Sequence, residues 1–471
     1  MSDYDLRDLI LGTGGTLITG AEGPDRFTGI SIDSRTIRPG EVFFAIRGQI
    51  HDGHSYIRDA WKKGAALSVM DRKASIDAGK LAPAPVLLVE DTLSALQSLA
   101  AHWREKHPVP SIAVVGSVGK TTTKEMLAAV LSTAGPCLRN PGNYNNEIGL
   151  PLSMMDLADH YRYAVFEIGA NNPGEIRHLS RLLRPRAAVL TRLGWAHLEG
   201  FGSPEVLVAE KGSVLEELPG DGWCALSVDD PSHDELRRKA RCQVVTYGFG
   251  AADVTARDLT LSARETTFVL STPAGRGKVH LGAFGRHFVE NALAAVAAAL
   301  PLGVSPERVV SGLTGWKPVR QRGGILEPME GVRFIDDTYN ANPLSVQTAL
   351  ESLAHLSHEG VTVAVLGEMK ELGRYSSQGH VSVGEAAARL GIDYLIAVGP
   401  VAELIAEGAA RGGMESPRIM VCPTDREAVR ALRPLLTKGV WVLFKGSRAA
   451  RMESIMEAFL PGADQKNPGG E

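Results

Sequence analysis

Residues 111–122 read SIAVVGSVGKTT, and this stretch decides the fold of the region around it. An apolar strand over residues 111–115 runs into a glycine-rich turn, and the apolar positions beyond it predict a helix over residues 121–133. Glycines let backbone N–H groups approach phosphate oxygens, and a helix N-terminus favours an anion. The order of strand, GxxGKTT turn and helix therefore predicts a P-loop, although the general pattern GxxxxGK[ST] has glycine where this chain has Val114.

The polar residues of this loop have separate expected roles. Lys120 is placed to bring positive charge to the β- and γ-phosphate oxygens, and the Thr121 hydroxyl can ligate Mg²⁺. A P-loop by itself indicates only a nucleoside triphosphate, because switches, motors, kinases and ligases all use one. We expect nucleotide contacts from Gly116, Ser117, Gly119, Lys120, Thr121 and Thr122.

Strand and helix patterns alternate outward from the P-loop in both directions. Residues 56–64 predict a helix that ends in glycine, and Asn342 followed by proline predicts the start of another, with asparagine as its N-cap. Parallel strands joined by helices imply doubly wound sheets, which bind ligands beyond the carboxyl ends of their strands. The predicted strands cover residues 41–46, 86–89, 163–168, 187–191, 332–335, 361–366, 394–398, 419–421 and 440–444.

The length of 471 residues predicts about three domains. Two proline-containing stretches, KHPVP at 106–110 and WKPVRQR at 316–322, are the expected boundaries. We therefore expect an α/β protein of three domains: an N-terminal α/β domain, a central P-loop domain with a parallel sheet, and a C-terminal Rossmann-like doubly wound domain. These domains are expected to cover residues 1–107, 108–316 and 317–471.

Composition excludes several classes of protein. The net charge of −4 leaves no basic excess to neutralise nucleic-acid phosphates or an anionic membrane. No stretch approaches the ~20 apolar residues of a membrane span, and the first residues do not resemble a secretory signal. No CxxC pair is present, so neither a zinc site nor a disulfide framework is indicated, and we expect a cytoplasmic protein. The cysteines are Cys137, Cys224, Cys242 and Cys422.

Several further blocks, in order and over nearly the whole chain, resemble the Mur ligase family, whose phosphate loop is GxxGKTT. The resemblance implies an ATP-dependent, ADP-forming ligase that phosphorylates a carboxylate and lets an amine attack the acyl phosphate. The blocks look most like those of the member that adds D-alanyl-D-alanine to UDP-N-acetylmuramoyl-tripeptide in peptidoglycan synthesis. The matching blocks are GNYNNEIG at 142–149, FEIGANNPGEI at 166–176, AHLEGFGS at 196–203, GRHFVENALAA at 285–295, DDTYNANP at 336–343, GEMKELG at 367–373 and KGSR at 445–448.

The resemblance also implies how Mg²⁺ would be held. Glu167, at the end of a predicted strand, and His197 match family metal ligands and would act together with Thr121. Lys211 matches a lysine that the family carries as a carbamate in contact with Mg²⁺. Carbamylation needs a neutral amine and turns a cation into an anion. The resemblance gives catalytic roles to Lys120, Lys211 and His197.

For the nucleotide, the resemblance implies three contacts outside the P-loop. Asn291 matches an asparagine that contacts the nucleotide, and Arg322 matches a domain-boundary arginine that reaches ATP. Asp337, with Asp336 beside it, matches a carboxylate for the ribose. The chain departs from the family at Phe288, where an asparagine usually follows the histidine.

Both other substrates have expected binding residues. The segments SIDSR at 31–35 and GQIHDGH at 48–54 resemble the UDP-binding region, where an arginine can pair with pyrophosphate. We expect the last domain to close about residues 316–322, since an acyl phosphate must be kept from water. The expected contacts are Ser34, Arg35, Asp52 and His54 for UDP, Asn143, Asn145 and Asn146 for the muramoyl-peptide, and Asn340, Asn342, Lys445, Ser447 and Arg448 for D-alanyl-D-alanine.

Other functions stay open at this point. One alternative is a sibling ligase that adds a diamino acid, or a folylpolyglutamate-type synthetase, although the UDP-like segments disfavour the folate enzyme. Another is a P-loop nucleotide switch, which would not need a third domain with its own Asp, Asn and Arg cluster. The sequence does not separate diaminopimelate from lysine as the third peptide residue. No exposed heptad pattern indicates a partner helix, so we expect a monomer.

Overall fold

The computed structural model describes residues 4–18, 25–48, 50–74, 81, 84–262 and 265–460. Within these ranges, three large sheets of five, nine and six strands follow one another along the chain, and two short strands, at residues 4–5 and 26–27, form a separate two-stranded sheet. Every strand predicted from the sequence is present within two residues of its predicted ends. None of the helices in the described ranges combines the length and the hydrophobicity that a membrane span requires.

The first region carries a mostly parallel sheet. Its strands are β1 Tyr4–Asp5, β2 Thr16–Ile18, β3 Arg26–Phe27, β4 Gly29–Ser31, β5 Glu41–Phe44, β6 Leu67–Asp71 and β7 Val86–Val89, and its helices are α1 Leu6–Thr13, α2 Ile57–Lys62 and α3 Thr92–Lys106. The sheet order is β2-β7-β6-β5-β4, with β2 antiparallel to β7. Helix α3, capped by Asp91, was not predicted; it packs on the central region, where Trp103 donates to the Leu157 carbonyl at 2.9 Å.

The central region carries the nine-stranded sheet. Its strands are β8 Ser111–Val115, β9 Cys137–Arg139, β10 Tyr163–Glu167, β11 Ala187–Leu190, β12 Trp223–Ser227, β13 Gln243–Gly248, β14 Val254–Leu261, β15 Thr266–Thr272 and β16 Gly275–Leu281. The helices are α4 Lys120–Ser132, α5 Gly149–Met154, α6 Glu175–Leu183, α7 Leu198–Phe201, α8 Pro204–Gly212, α9 His233–Lys239, α10 Arg286–Ala299 and α11 Pro306–Gly315. The order is β16-β15-β14-β13-β12-β11-β8-β10-β9.

The parallel sheet predicted for the central region is confirmed over seven of its nine strands, and an antiparallel hairpin extends it. Strands β8 to β14 run parallel, and β8, β10 and β11 are buried along their whole length, as parallel strands covered on both faces are. Strands β15 and β16 extend the sheet as an antiparallel hairpin. Only two residues separate the paired Thr272 and Gly275, and a link this short permits only antiparallel pairing.

The C-terminal region carries the six-stranded sheet. Its strands are β17 Gly324–Met329, β18 Val332–Asp337, β19 Thr362–Leu366, β20 Tyr394–Val398, β21 Ile419–Cys422 and β22 Trp441–Lys445, with helices α12 Pro343–Ala354, α13 Ser376–Arg389, α14 Ala402–Arg411, α15 Asp425–Leu432 and α16 Glu453–Glu457. The order is β17-β18-β22-β19-β20-β21, and only β17 runs antiparallel. The predicted N-cap of α12 is confirmed, because the Asn342 side chain accepts from Ser345 N–H at 2.8 Å.

The carboxyl ends of the two larger sheets meet. The P-loop follows β8, Glu167 ends β10, and His197 lies in the segment after β11. From the C-terminal sheet, Asp337 ends β18 and Lys445 ends β22. The P-loop and these four residues therefore approach one space from two sheets, and proteins with parallel sheets generally bind their ligands at such strand ends.

Candidate active site

A cavity of about 380 Å³ lies where these strand ends meet. It is lined from both larger regions of the chain, and it brings together most of the residues predicted to act on ATP, metal and substrates. Predicted residues in its lining are Ser117, Gly119, Lys120, Thr121, Thr122, Asn143, Asn145, Asn146, Glu167, His197, Lys211, Asn291, Arg322, Asp337, Asn340, Asn342 and Lys445.

Two glycines give the P-loop its shape. Gly116 and Gly119 have φ angles of 154° and 90°, which side-chain-bearing residues rarely adopt. A Cβ on Gly119 would lie 2.2 Å from Oδ1 of Asn291, so this predicted nucleotide residue packs directly against the loop. Val114, where the general motif has glycine, is fully buried in strand β8, so the tight loop begins only at Gly116.

Lys120 lies inside the loop without an acidic partner of its own. Its Nζ donates to the carbonyls of Gly116 at 2.8 Å and Ser117 at 3.3 Å. The side chain keeps some access through the cavity, but the surrounding protein lowers its pKa by desolvation; Glu167 opposes this shift and Arg322 adds to it. A phosphate or other anion bound in the loop would supply the negative charge that would stabilise the protonated form of Lys120.

Glu167 and Thr121 form an oxygen pair at the floor of the cavity. The Thr121 hydroxyl donates to Oε2 of Glu167 at 2.8 Å, and Asn145 donates to Oε1 at 2.7 Å. The buried Asn140 holds the Glu167 backbone on both sides, accepting from its N–H at 2.9 Å and donating to its carbonyl at 3.0 Å. Arg322 reaches Thr121 Oγ1 at 3.3 Å. Asn140 was not among the predicted site residues.

This oxygen pair suits Mg²⁺. Mg²⁺ is usually held by one or two carboxylates together with phosphate oxygens and water, rather than by a cage of protein ligands. In the part of the chain that the structure describes, no group of three or more His, Cys, Asp or Glu residues could hold a metal ion. Thr121 and Glu167 therefore match a metal that takes its remaining ligands from nucleotide and solvent.

Lys211 projects from α8 into a buried position beside the cavity. Its Nζ donates to the Ala170 carbonyl at 3.1 Å and lies 5.1 Å from the centre of the Phe201 ring. Its pKa is lowered to about 7, chiefly by desolvation and also by the charge of Lys120, while nearby carboxylates oppose the shift. Near neutral pH, a large fraction of this amine is therefore uncharged, which is the form that reacts with carbon dioxide.

His197 reaches across to the C-terminal region. It has a left-handed backbone, with φ of 55°, and its Nδ1 lies 2.5 Å from Oε2 of Glu371. The close contact with this histidine lowers the pKa of the Glu371 carboxyl, which favours the ionised carboxylate. Glu371 lies in the GEMKELG block, but no role had been assigned to it. The sequence gives no local sign of a partner 174 positions away.

The C-terminal side of the cavity is held together by charges. Lys445 is buried, and its Nζ lies 2.5 Å from Oδ2 of Asp337 and 3.1 Å from the Asn340 carbonyl. These residues had been assigned to different ligands, yet they pair with each other. Arg322 stacks on Tyr339, with 3.8 Å between the guanidinium carbon and the ring centre. Tyr339 also lines the cavity and was missed by the sequence reasoning.

Some predicted site residues already have structural partners. The Asn342 side chain caps α12, and Asn146 Oδ1 accepts from the Gly149 N–H at 2.8 Å at the start of α5. Ser447 and Arg448 lie outside the cavity lining: the Ser447 hydroxyl is buried, and Arg448 pairs with Glu453 at 2.9 Å.

Phe288 packs in the core of the central region. It is buried beside Trp316, with ring centres 5.8 Å apart, and it also lines the cavity. A Cβ on Gly323 would lie 3.0 Å from its ring, which leaves no room for a side chain there. The departure from the family at this position therefore replaces a polar side chain with core packing.

A second cavity of about 570 Å³ lies between the first and central regions. Ser31, Asp33 and Tyr144 are among its lining residues, but the predicted UDP contacts Ser34, Arg35, Asp52 and His54 are not. Arg35 instead pairs with Asp33 at 2.7 Å, and this hydrogen bond lowers the pKa of Asp33 to about 2.

His54 is buried, and both of its ring nitrogens have partners. Nδ1 lies 2.6 Å from Oδ1 of Asp52, and Nε2 accepts from the Asp71 N–H at 3.0 Å. The ring joins the turn at 52–54 to strand β6. In this arrangement, neither nitrogen is free to meet a ligand, so the observed contacts of His54 are structural.

The fold and the cavity are those of a nucleotide-dependent ligase, and comparison with known protein families identifies the same class. The description "Mur ligase family, catalytic domain" matches residues 26–104, "Mur ligase middle domain" matches 114–299, and "Mur ligase, glutamate ligase domain" matches 321–448. The chain belongs to the Mur ligase family.

Individual relatives are similar over nearly the whole chain. The UDP-N-acetylmuramoyl-tripeptide--D-alanyl-D-alanine ligase of Escherichia coli (strain K12) is 36% identical, over 91% of this chain and 93% of that protein. The crystal structure of MurF from Acinetobacter baumannii superposes with a TM-score of 0.89 at 34% identity, covering 98% of this chain and 99% of that one. MurF ligase from Thermotoga maritima in complex with ADP gives 0.81 at 30% identity, covering 93% and 98%.

Proposed function

We propose that this protein is an ATP-dependent ligase that joins D-alanyl-D-alanine to UDP-N-acetylmuramoyl-tripeptide, yielding ADP, phosphate and the UDP-linked pentapeptide of peptidoglycan synthesis. The observation that carries the proposal is the single cavity in which Lys120, Glu167 and Lys211 face the Asp337–Lys445 pair. One side suits a nucleotide, the other offers polar groups to a second reactant, and relatives over 90% of the chain carry this activity in their names.

ATP would bind across the P-loop. Lys120 and Arg322 would face the phosphates, Asn291 would hold the loop in shape, and Asp337 would approach the ribose. Mg²⁺ would be held by Thr121, Glu167 and His197, and its charge would neutralise the phosphoryl group during transfer. The hydrogen bond between Thr121 and Glu167, which brings their oxygens together beside the P-loop, supports this arrangement.

Lys211 is the proposed site of carbamylation. The ammonium would first lose a proton, and the neutral amine would then add to carbon dioxide, forming an N–C bond and releasing a second proton, so that a cation becomes a carbamate anion. The repulsion between Lys211 and Lys120, which now contributes to the lowered pKa, would become an attraction. The acyl phosphate must be shielded from water until the amine attacks it. Lys211 lies in a buried position beside the cavity, where water has little access.

The long UDP-tripeptide substrate would reach both cavities. Tyr144 lines the second cavity, whereas its neighbours Asn143 and Asn145 line the first. We propose that the UDP end lies towards the second cavity, near Ser34 and Arg35, and that the asparagines hold the peptide end. Asp52 and His54 would then shape that region through their own contacts.

D-alanyl-D-alanine would enter from the C-terminal side. Asn340, Asn342 and Lys445 already line the cavity, so we assign them the nearest contacts. Ser447 and Arg448 lie outside the lining, so any contact that they make after a movement of this region would be weak. We keep the proposed division at residues 1–107, 108–316 and 317–471, with closure about 316–322. We also infer a cytoplasmic location, which the four unpaired cysteines support.

The test is phosphate release from ATP with UDP-N-acetylmuramoyl-tripeptide, with and without D-alanyl-D-alanine. We expect release only when both are present, together with a UDP-pentapeptide product, and paired assays with diaminopimelate- and lysine-containing tripeptides will identify the third residue. Release with a single free amino acid would make the protein a sibling ligase, and no release with any pair would contradict the ligase function. Lys211→Ala should abolish the reaction, and near-normal turnover would remove Lys211 from the mechanism.

A further inference from the structure

Glu371 is a cavity-lining residue without a role in the function proposed above. It belongs to the loop 367–373 of the C-terminal region, and its carboxylate meets the imidazole of His197 from the central region at 2.5 Å. This contact joins two regions of the chain at the cavity itself.

The backbone at both ends of this contact is unusual. His197 has φ of 55° and Glu371 has φ of 64°, and residues other than glycine seldom adopt such angles without a structural or functional reason. One backbone hydrogen bond joins the two segments, from the Glu199 N–H to the Glu371 carbonyl at 3.0 Å, and a local one, from the Gly200 N–H to the His197 carbonyl at 3.1 Å, holds the turn that follows His197. The two strained residues thus stabilise one shared geometry.

This geometry determines which ring nitrogen of His197 faces the cavity. Nδ1 is buried and lies 2.5 Å from Oε2 of Glu371, a contact that has ion-pair distance without hydrogen-bond geometry, while the side chain as a whole remains 24% exposed. Across the described ranges, no hydrogen bond engages Nε2. A small rotation of the ring would let Nδ1–H donate to this carboxylate and would leave the Nε2 lone pair for a metal ion, the arrangement by which proteins orient metal-binding histidines.

We propose that Glu371 is a positioning residue that orients His197 for Mg²⁺ binding, and that it does so only while the C-terminal region is docked on the central region. Two further contacts accompany this docking. Arg374 donates to the Gly202 carbonyl at 3.0 Å, and the rings of Trp195 and Tyr375 lie 5.3 Å apart. Docking would therefore complete the metal site. The inference rests on the metal role proposed for His197.

The test uses Mn²⁺ as the probe, bound to the full-length protein with a non-hydrolysable ATP analogue and UDP-N-acetylmuramoyl-tripeptide. Pulsed EPR reports a directly coordinated histidine nitrogen, and titration gives the Mn²⁺ dissociation constant. We expect Glu371→Gln to raise this constant by about 10–100-fold and to weaken the nitrogen signal. Glu407→Gln is the matched control, because Glu407 pairs with Arg411 on α14, outside the cavity, and it should leave both readouts unchanged.

The possible outcomes separate this inference from the function on which it rests. A nitrogen signal that disappears in His197→Ala but is unaffected by Glu371→Gln, with an unchanged dissociation constant, would overturn the positioning role and leave the metal role standing. A wild-type protein without any histidine signal would remove the metal role of His197 and, with it, this inference. Thermal melting of each variant shows whether it is folded.

Discussion

The two sides of the cavity are built differently. On the nucleotide side, the P-loop and Glu167 are shaped by nearby backbone, and Lys120 contacts only carbonyl oxygens. On the C-terminal side, Lys445 and Asp337 satisfy each other across neighbouring strands. The charge on the nucleotide side is therefore balanced only when an anionic ligand binds, whereas the charges on the C-terminal side already balance each other. Polar residues that line the same cavity can therefore differ in role: those on the nucleotide side should matter mainly for activity, and those on the C-terminal side mainly for stability.

The largest expected effect comes from the nucleotide side. Lys120→Ala should lower kcat/KM for ATP by at least about 10³-fold, because it removes a cation from the transferring phosphoryl group. The melting temperature should stay the same or rise, since the buried ammonium has no acidic partner to lose. Steady-state phosphate release and calorimetry measure the two quantities. A large loss of stability would show that both sides depend on internal pairing.

The matching change on the C-terminal side should act mainly on stability. Lys445→Met leaves the Asp337 carboxylate without its cation, which should lower the free energy of unfolding by about 3 kcal/mol. Denaturant unfolding measures this cost. The double variant Lys445→Met/Asp337→Asn should recover much of it, because the unpaired charge is gone. Equal losses in the single and double variants would contradict the ion-pair explanation.

Lys211 sharpens the comparison through its pH dependence. Its pKa falls from 10.5 to about 7 on folding, so between these values the unfolded chain binds a proton that the folded protein does not. Stability therefore rises with pH across this window. In carbon-dioxide-free buffer near pH 7, the free energy of unfolding should be larger for Lys211→Met than for the wild type. This difference should shrink by about 1 kcal/mol per pH unit towards pH 10. Parallel pH-dependent curves would show that the amine keeps its ordinary pKa.

The smallest effect is expected at Arg448. Its pair with Glu453 is exposed, so Arg448→Ala should change stability by less than about 1 kcal/mol. KM for D-alanyl-D-alanine should change by less than about threefold, because the side chain does not line the cavity. A tenfold or larger increase in KM would place Arg448 at the amine substrate after closure and would make the C-terminal side more open to ligand than its present pairing suggests.

The sequence was most informative where structure is local. The P-loop, the strand ends at Glu167 and Asp337, and the Asn342 cap all follow from short patterns, and the structure places each as predicted. Contacts between distant segments could not be read in the same way. Asn140 meets Glu167 across 27 positions and Glu371 meets His197 across 174, and no periodicity encodes such pairs.

The loop at residues 141–146 has a consequence for substrate choice. Tyr144 lines one cavity, whereas Asn143 and Asn145 line the other. A substrate that occupies both cavities must therefore be long enough to span the distance that this loop sets between them. The loop would thus select substrates by the length of their peptide. We expect a precursor one residue too short to anchor normally at its nucleotide end, yet to turn over poorly, because its carboxylate would stop before it reaches the phosphate donor.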